Sequence, residues 1–213
     1  MNEFKTFDNE RIQEEIKRAI SDMGILNPTP IQSRAIPPAL SGADILAQSP
    51  TGTGKTFAFG IPLLQNVNPF KDCVQGVALC PTRELAVQVA AELRGLAKYM
   101  ENVRILPVYG GENIERQITA LRQKPQIIVA TPGRFCDLYK RKKIKTDEVG
   151  TVVLDEADEM LSMGFLPDIE AILSKIPENS QKLMFSATVP KEVLGIAKRF
   201  SHNVQRIKVS PDK

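Results

Sequence analysis

The pattern of hydrophobic positions changes character near residue 44. From there onward, short apolar runs rich in β-branched residues alternate with longer stretches in which apolar residues recur every three or four positions. The short runs predict seven strands, at residues 44–49, 76–80, 104–109, 127–130, 151–154, 183–185 and 206–209. Strands that alternate with helices are typical of a parallel sheet covered by helices, so the pattern predicts an α/β fold.

One helix shows the longer pattern most clearly. Four apolar residues after Pro81 repeat at spacings of three and four, namely Leu85, Val89, Leu93 and Leu96. This spacing predicts a helix that buries one face and exposes the other. Further helices are predicted to begin near residues 54, 113, 133, 168 and 191.

The N-terminal part of the chain carries a different pattern. A helix is predicted over residues 10–23, and a proline-rich passage follows it. The prolines of that passage are Pro28, Pro30, Pro37 and Pro38. Because proline removes a helical hydrogen bond and restricts the residue before it, we expect that this passage cannot form one continuous helix.

Composition narrows the class of protein. With 213 residues, 42% of them hydrophobic, the chain can bury a sizeable core, and we expect a single domain. A net charge of +3 does not indicate a nucleic-acid partner by itself, so any nucleic-acid site must be local. The basic run at residues 140–143 fits a solvated helix end better than a binding patch.

Cysteine usage and hydropathy point to an intracellular protein. Cys73, Cys80 and Cys136 lack the spacing of a metal-thiolate site, and their odd number favours reduced thiols over disulfides. The chain shows no signal peptide and no apolar run long enough to cross a bilayer. We therefore expect a soluble, cytoplasmic protein without a membrane partner.

A glycine-rich loop follows the first predicted strand. Its residues are Ser49, Pro50, Thr51, Gly52, Thr53, Gly54, Lys55 and Thr56, which fit the phosphate-loop pattern except at Ser49. In such loops the glycines let backbone N–H groups face a phosphate, the lysine reaches the β- and γ-phosphates, and the hydroxyl of Thr56 faces Mg²⁺. The alternative is a turn that merely contains lysine. The preceding strand and the following helix favour the phosphate loop.

Two acids end the predicted strand at residues 151–154. Asp155 and Glu156 would emerge at the carboxyl edge of a parallel sheet, where ligands bind. Asp155 could then hold the Mg²⁺ shell while Glu156 polarises the attacking water. Taken alone, the pair could equally serve as helix-capping acids. Together with the phosphate loop, they favour catalysis by Lys55, Asp155 and Glu156.

Two helix starts combine a threonine with an arginine. The segments are Pro81, Thr82 and Arg83, and Thr131, Pro132, Gly133 and Arg134. Each could offer backbone N–H groups, a hydroxyl and a guanidinium to a phosphate. Gly110 and Gly111 would let a nucleic-acid backbone approach closely. Such contacts position nucleic acid without reading bases, although ordinary helix capping could explain either segment alone.

The ordered motifs resemble a known family. The run Asp155, Glu156, Ala157 and Asp158 spells DEAD, and the other motifs occur in the order found in DEAD-box ATP-dependent RNA helicases. The chain resembles the first RecA-like domain of that family, a phosphate-loop NTPase domain. The resemblance implies an adenine-recognition segment at 1–36 and an ATP-binding domain at 37–210. ATP and Mg²⁺ are the implied cofactors, and RNA is the implied partner.

The resemblance also assigns residues that the pattern alone would not. It implies that Gln32 reads the adenine edge and that Phe7 stacks on the base. It further implies that Ser186 and Thr188 couple the ATP site to RNA through Asp158. Without the family, Gln32 would pass for a polar helix start and Phe7 for a core aromatic.

Two positions depart from the family pattern, and one domain is missing. Ile25 stands where an aromatic is usual, and Ser49 stands where alanine is usual. We expect the change at Ser49 to be tolerated, and we expect that Ile25 alters local packing without removing Gln32 from its place. Nothing after Phe200 resembles the second RecA-like domain, so we expect a monomeric half enzyme that hydrolyses ATP weakly and does not unwind RNA alone. The alternatives are a different phosphate-loop enzyme and an ATP-dependent RNA clamp.

Overall fold

The computed structural model describes residues 4–210. The helices are α1 (Glu14–Asp22), α2 (Pro30–Leu40), α3 (Lys55–Gln65), α4 (Arg83–Leu96), α5 (Ile114–Leu121), α6 (Pro132–Lys140), α7 (Ala157–Ser162), α8 (Leu166–Leu173) and α9 (Lys191–Phe200). The strands are β1 (Ile45–Gln48), β2 (Gly76–Leu79), β3 (Ile105–Val108), β4 (Ile127–Ala130), β5 (Thr151–Leu154), β6 (Gln181–Ser186) and β7 (Gln205–Lys208). Each predicted strand lies within two residues of an observed one.

The strands form one parallel sheet in the order β3-β4-β2-β5-β6-β1-β7. Because all strands are parallel, the segments that follow them meet at the same carboxyl edge. The glycine-rich loop, the two acids and residues 186–188 follow β1, β5 and β6, which are neighbours. The two threonine-arginine segments and the glycine pair follow β2, β4 and β3, which are also neighbours. We call these the β5–β6–β1 half and the β3–β4–β2 half.

The core lies in two layers, one on each face of the sheet. Successive strand residues alternate between the layers, so Val153 packs with α2, α3 and α4 whereas Val152 and Leu154 pack with α6, α8 and α9. Both faces are covered, which explains why the strands read as continuous apolar runs. The prediction of an α/β fold with seven parallel strands between helices is confirmed.

The N-terminal segment belongs to the same body. Phe7, Ile16 and Ile31 are buried in the core layer that also holds Phe59 of α3. The helix predicted over residues 10–23 is shorter, at Glu14–Asp22. The predicted boundary between residues 36 and 37 falls inside α2, which runs through both positions.

The prediction for the proline-rich passage is wrong over residues 30–40. Pro30 is the first residue of helix α2, and the helix continues through Pro37 and Pro38. Proline is tolerated at the first helical position because its N–H would have no partner there. Pro37 cannot donate to the carbonyl of Ser33, and that carbonyl instead accepts from the Phe4 N–H at 3.2 Å. A tertiary contact thus replaces the missing helical bond.

Two further features bear on the sequence analysis. Helix α7 was not predicted, because six residues carry too little periodicity to indicate a helix. The three cysteines are free, as predicted. Between residues 4 and 210, no helix combines the length and apolar character needed to cross a membrane.

Candidate nucleotide and nucleic-acid site

The glycine-rich loop joins β1 to α3 through left-handed backbone. Gly52 and Gly54 have φ angles of +75° and +86°, values that other residues adopt at a cost. A Cβ at Gly54 would also lie 2.4 Å from Nε2 of Gln32. Gly54 is therefore required both for the turn and for the close approach of a neighbouring helix.

Gln32 ties the start of α2 to this loop. Its Nε2 donates to the carbonyl of Gly54 at 3.0 Å, and its Oε1 accepts from the Thr29 N–H at 2.8 Å. Its side chain is thus fixed beside the loop that the phosphate pattern identified. The role of Gln32 in reading adenine stays a prediction.

Phe7 lies in the apolar core beside α1 and α2. Only 4% of its surface is exposed, so most of the ring is already covered by protein. A buried position of this kind is what the interpretation of Phe7 as a core aromatic predicts. Stacking of Phe7 on a base stays a prediction of the family resemblance.

Lys55 begins α3 and is 7% exposed. Its Nζ donates to the carbonyl of Ser49 in a long bond of 3.5 Å. The Ser49 side chain is fully buried, and its hydroxyl lies 2.7 Å from that of Thr53. The unusual serine therefore braces the loop from inside, which agrees with the expectation that it is tolerated.

Asp155 lies at the end of β5 and is 3% exposed. Its Oδ1 is buried and has no hydrogen-bond partner. Burial and the adjacent charge of Glu156 raise the pKa of Asp155 to about 7, although the ammonium of Lys55 acts in the opposite direction. Strands β1 and β5 both pair with β6, so the loop after β1 and the acids after β5 emerge at the same sheet edge on either side of β6, in keeping with the influence of Lys55 on Asp155.

Glu156 has a φ of +50° and precedes α7 as its N-cap residue. Its side chain does not cap the helix, which excludes the ordinary capping explanation for this residue. A left-handed conformation costs a residue with a side chain on the order of 1 kcal/mol. The turn thus holds Glu156 in a strained, half-exposed position at the sheet edge.

The donor groups in this space fit Mg²⁺. A buried carboxylate with an unpartnered oxygen suits a hard cation, and Thr56 offers a nearby hydroxyl in the first turn of α3. Across the part of the chain that the structure describes, no group of three or more His, Cys, Asp or Glu could hold a metal alone. Mg²⁺ typically takes one or two carboxylates and completes its shell with substrate phosphates and water.

Ser186 connects the glycine-rich loop after β1 to the acidic segment after β5. Its carbonyl accepts from the Ser49 N–H at 3.0 Å, and its hydroxyl accepts from the Asp158 N–H at 3.0 Å. The Thr188 N–H and hydroxyl donate to Asp158 Oδ2 at 2.9 and 2.7 Å. Burial opposes ionisation of Asp158, but the hydrogen bonds from Thr188, Ser186 and the Glu159 N–H together outweigh it and lower the pKa of that carboxyl. The structure thus brings the three predicted coupling residues together.

The first threonine-arginine segment forms the start of α4. The Thr82 hydroxyl accepts from the Leu85 N–H at 3.2 Å, so the capping explanation holds for Thr82. Pro81 is buried, whereas Arg83 is exposed with its guanidinium carbon 4.9 Å from the ring centroid of Tyr109. This contact fixes the cation at the surface of the β3–β4–β2 half.

The second segment has a different arrangement. Thr131 makes no cap bond to α6, and its hydroxyl accepts from the Gly110 N–H at 3.3 Å. Gly110 and Gly111 are exposed, and Gly111 has a φ of +79°. Pro132 is buried, whereas Gly133 is exposed at the start of α6. The structure therefore brings the glycine pair and the second helix start together.

Arg134 is held by a residue that the sequence analysis missed. Its Nη1 donates to Oε1 of Gln117 at 3.0 Å, and its Nη2 donates to the carbonyl of Glu112 at 3.0 Å. Gln117 also accepts from the Tyr109 N–H and donates to the Tyr109 carbonyl, at 3.2 and 3.0 Å. Gln117 is 5% exposed and lies among the apolar positions of α5, and a polar residue on a buried face was the available signal.

The fold and the site define a class of protein. A seven-stranded parallel sheet with a phosphate loop and an acid pair at its carboxyl edge is a RecA-like α/β domain. The model of the DEAD/DEAH box helicase family matches residues 29–196. Because this match covers most of the chain, the chain belongs to the DEAD/DEAH box helicase family.

Individual relatives agree with this assignment. The DEAD-box ATP-dependent RNA helicase CshA of Bacillus cereus (strain ATCC 10987 / NRS 248) is 52% identical over 96% of this chain, which corresponds to 39% of that relative. The protein of the same name from Geobacillus kaustophilus is 49% identical, again over 96% of this chain and 44% of the relative. This chain thus spans about two fifths of these relatives.

Solved structures show the same likeness. A DEAD box protein from the hyperthermophile Methanococcus jannaschii superposes with a TM-score of 0.92 at 41% identity, covering 98% of this chain and 57% of that chain. A hypothetical ATP-dependent RNA helicase from Sulfolobus tokodaii superposes with a TM-score of 0.85 at 38% identity, covering 93% and 57%. The described fold is therefore that of the family.

Proposed function

We propose that this chain is the ATP-binding core domain of an ATP-dependent RNA helicase. It binds ATP with Mg²⁺ on the β5–β6–β1 half of the sheet edge and the RNA backbone on the β3–β4–β2 half. The observation that carries the proposal is the convergence of Lys55 and Asp155 on one space. We further propose that the protein is cytoplasmic and monomeric.

The nucleotide is held by the glycine-rich loop and its two flanks. N–H groups of residues 51–54 and the start of α3 face the phosphates, and Lys55 neutralises the β- and γ-phosphates. Gln32 and Phe7 recognise the adenine from the N-terminal segment. Because Gln32 bonds to Gly54, adenine recognition and phosphate binding act on the same loop.

Hydrolysis depends on the two acids. Thr56 and Asp155 would hold Mg²⁺, which would neutralise charge that develops on the phosphates. Glu156 orients and polarises the attacking water from the strained turn before α7. Asp155 would have to be ionised to hold the cation, and a neighbouring cation would favour the ionised form despite the raised pKa of the carboxyl.

RNA is held through its phosphates. Arg83, Arg134 and the hydroxyl and N–H groups of the two helix starts contact successive phosphates, and Gly110 and Gly111 allow close approach. These contacts do not read bases. Asp158, Ser186 and Thr188 belong to the β5–β6–β1 half and transmit the state of the nucleotide to the RNA.

Unwinding requires a second RecA-like domain. In the family, ATP and RNA close the two domains over the nucleotide, and the bent RNA strand no longer fits a duplex. The partner domain supplies a transition-state arginine, a group that contributes about 10³ to 10⁵ in rate in phosphoryl-transfer enzymes. The isolated domain therefore binds adenine nucleotides but hydrolyses ATP weakly.

The test is an RNA-stimulated ATPase assay on this chain with and without a second RecA-like domain supplied in trans. Wild type is compared with Lys55→Ala, Glu156→Gln and the control Glu159→Gln, an exposed acid three residues further along. We expect stimulation in the wild type and the control only. Equal activity in all four proteins would refute the assignment.

Two further readouts separate the competing functions. Competition by GTP, CTP and UTP should be weak if the base is read, whereas a different phosphate-loop enzyme would accept another base or another substrate. Strand displacement by the protein joined to its second domain separates a helicase from an RNA clamp, which would hydrolyse ATP without displacing a strand.

A further inference from the structure

A small pocket lies between α6 and α8, outside the site described above. We call it the α6–α8 pocket, and its volume is about 150 Å³. It is lined by Phe135, Cys136, Tyr139, Lys140, Ala171, Ile172 and Lys175. Neither the nucleotide contacts nor the RNA contacts proposed above use these residues.

The interior of the α6–α8 pocket is apolar. Phe135 and Ile172 form its buried floor, and Ala171 is exposed at its rim. The Cys136 thiol donates to the carbonyl of Asp168 at 3.8 Å, so this donor already has a partner within the protein. An apolar cavity of about 150 Å³ accommodates a benzene-sized group. The pocket therefore suits one aromatic or branched aliphatic side chain.

Two exposed lysines, Lys140 and Lys175, line the pocket, and further exposed cations follow in the chain directly after α6. We call these six cations the basic rim, namely Lys140, Arg141, Lys142, Lys143, Lys145 and Lys175. Arg141 pairs with Asp137 at 3.1 Å. No carboxylate of residues 4–210 forms an ion pair with the five lysines. In a chain whose net charge is +3, this is a concentrated positive surface.

One of these lysines occupies a strained position. Lys142 has a φ of +56°, and its N–H donates to the carbonyl of Tyr139 at 2.8 Å as the chain leaves α6. Glycine or asparagine is the usual residue at such a helix end, because a side chain is disfavoured there. A positive charge is thus kept at this position at a cost in stability.

Most of the basic rim lies at the opposite end of α6 from the proposed RNA contacts. Helix α6 has nine residues, so its two ends are separated by roughly 13 Å at 1.5 Å per residue. Thr131 and Arg134 lie at the start of α6, at the carboxyl edge of the sheet, whereas Lys140 lies at its end and the cations of residues 141–145 follow it. The cations after α6 are therefore not among the proposed RNA contacts.

We propose that the α6–α8 pocket and the basic rim bind an acidic segment of a partner protein, anchored by one aromatic or branched aliphatic side chain. The rim complements Asp and Glu side chains, and the pocket takes the anchor. A phosphate backbone could use the rim but would gain nothing from the apolar interior. The combination therefore favours a peptide over a nucleic acid.

The probe is a fluorescein-labelled peptide with one phenylalanine between two blocks of three glutamates. A second peptide replaces phenylalanine with alanine at equal charge. Fluorescence anisotropy against the complete chain should show about fivefold tighter binding of the first peptide, since burying a benzyl group stabilises by 1 kcal/mol or more. Raising salt from 50 to 300 mM should weaken both peptides.

Variants separate the pocket from the rim. Ala171→Leu fills the pocket from its rim without a charge change and should remove the preference for phenylalanine. Lys142→Gly should weaken both peptides about threefold while raising Tm, because it removes a cation and relieves the positive φ. Folding damage would lower Tm, so the Tm rise distinguishes lost binding from a misfolded protein.

The matched control is Lys124→Gly. Lys124 also follows a helix with a positive φ, of +52°, but it lies after α5 and pairs weakly with Asp72 at 3.7 Å. This variant should raise Tm in the same way and leave peptide binding unchanged. An equal loss of peptide binding in both glycine variants would show nonspecific charge attraction and would overturn the proposal.

Two other outcomes would also overturn it. Equal affinity for the phenylalanine and alanine peptides would show that the pocket takes no anchor. Displacement of the peptide by a 12-nucleotide RNA, combined with loss of RNA binding in Lys142→Gly but not in Ala171→Leu, would show that the rim is a nucleic-acid surface.

Discussion

The two halves of the sheet edge differ in how far their polar groups are enclosed by the protein. In the β5–β6–β1 half, the central groups are enclosed, since Lys55 is 7% exposed and Asp155 is 3% exposed with an unpartnered oxygen. In the β3–β4–β2 half, Arg83 and the glycine pair are exposed, and Arg134 already has two partners. The β5–β6–β1 half therefore suits a compact ligand that fits an enclosed space. The β3–β4–β2 half presents an exposed surface on which the polar groups are held in place.

The two halves also differ in the free-energy costs of burial and backbone strain that they carry. Burial of Asp155 and the left-handed turn at Glu156 are costs that a bound cation and triphosphate can offset. The open half carries little such strain because a long phosphate backbone needs donors in fixed positions rather than an enclosed pocket. Substitutions in the two halves should therefore differ in both size and sign.

The largest expected effect is on nucleotide affinity in the enclosed half. Lys55→Ala should weaken binding of ATP with Mg²⁺ about 100-fold, because charge-assisted bonds to two phosphates are lost. Affinity for single-stranded RNA, measured without nucleotide, should change by less than about twofold. Titration calorimetry and fluorescence anisotropy provide the two measurements.

Lys191→Ala is the matched control, since Lys191 also begins a helix but is exposed. It should change neither affinity. If Lys55→Ala weakened RNA and nucleotide to the same degree, the two halves would not be separate sites.

The next effect concerns stability and pH. The pKa of Asp155 is about 7, above the ordinary value of 3.8, so the folded wild type binds an extra proton between these values and loses stability as pH rises through 7. Asp155→Asn should raise the free energy of unfolding by about 2 kcal/mol at pH 8 and much less at pH 5. Urea unfolding at the two pH values measures this.

Asp158→Asn should change the free energy of unfolding in the opposite direction to Asp155→Asn. Because its pKa is lowered by the bonds from Thr188, the ionised carboxyl stabilises the fold at pH 8, and this contribution disappears as pH falls through its folded pKa. A wild type whose stability did not depend on pH near 7, or stabilisation by both variants, would contradict the assigned costs.

A smaller effect is expected in the open half. Arg134→Ala should weaken RNA binding about tenfold and reduce its salt dependence, while nucleotide affinity stays unchanged. Gln117→Leu should produce a milder loss, because Arg134 keeps its charge but loses a positioning partner. Arg116→Ala, an exposed neighbour on α5, is the control and should bind RNA as wild type does. Equal losses in Arg134→Ala and Arg116→Ala, with no loss in Gln117→Leu, would indicate only general charge attraction.

The smallest effect is a trade between stability and activity. Glu156→Gly should raise the free energy of unfolding by about 0.5 kcal/mol, since it relieves a left-handed conformation but loosens the unfolded chain. The same variant should abolish RNA-stimulated ATP hydrolysis. A destabilised Glu156→Gly protein would show that the turn stores no strain.

The sequence predicted most local elements but not their arrangement. The seven strands follow from short apolar runs, most of them with β-branched residues, and the phosphate loop follows from the spacing of Gly52, Gly54 and Lys55. Helix α2 could not be predicted, because the contact that offsets Pro37 comes from Phe4, far away in the chain. Strand order, which separates the two halves, depends on tertiary packing rather than on any local pattern.

The site shows the same division. Motifs located Asp155 and Glu156, but the raised pKa of one and the positive φ of the other arise from burial and from the turn. Gln117 was missed because a single glutamine on a helix carries no motif, and its role depends on contacts with Tyr109 and Arg134. Residue identity was therefore predictable where a motif existed, and geometry was not.

The most direct test of the central claim is a double-mutant cycle on affinity for ATP with Mg²⁺, using Lys55→Ala, Asp155→Asn and the double variant. A single triphosphate–Mg²⁺ pocket predicts a coupling of at least about 1 kcal/mol, with the double variant little weaker than Lys55→Ala alone. Losses that add to within about 0.3 kcal/mol would mean independent sites, and the account would be contradicted.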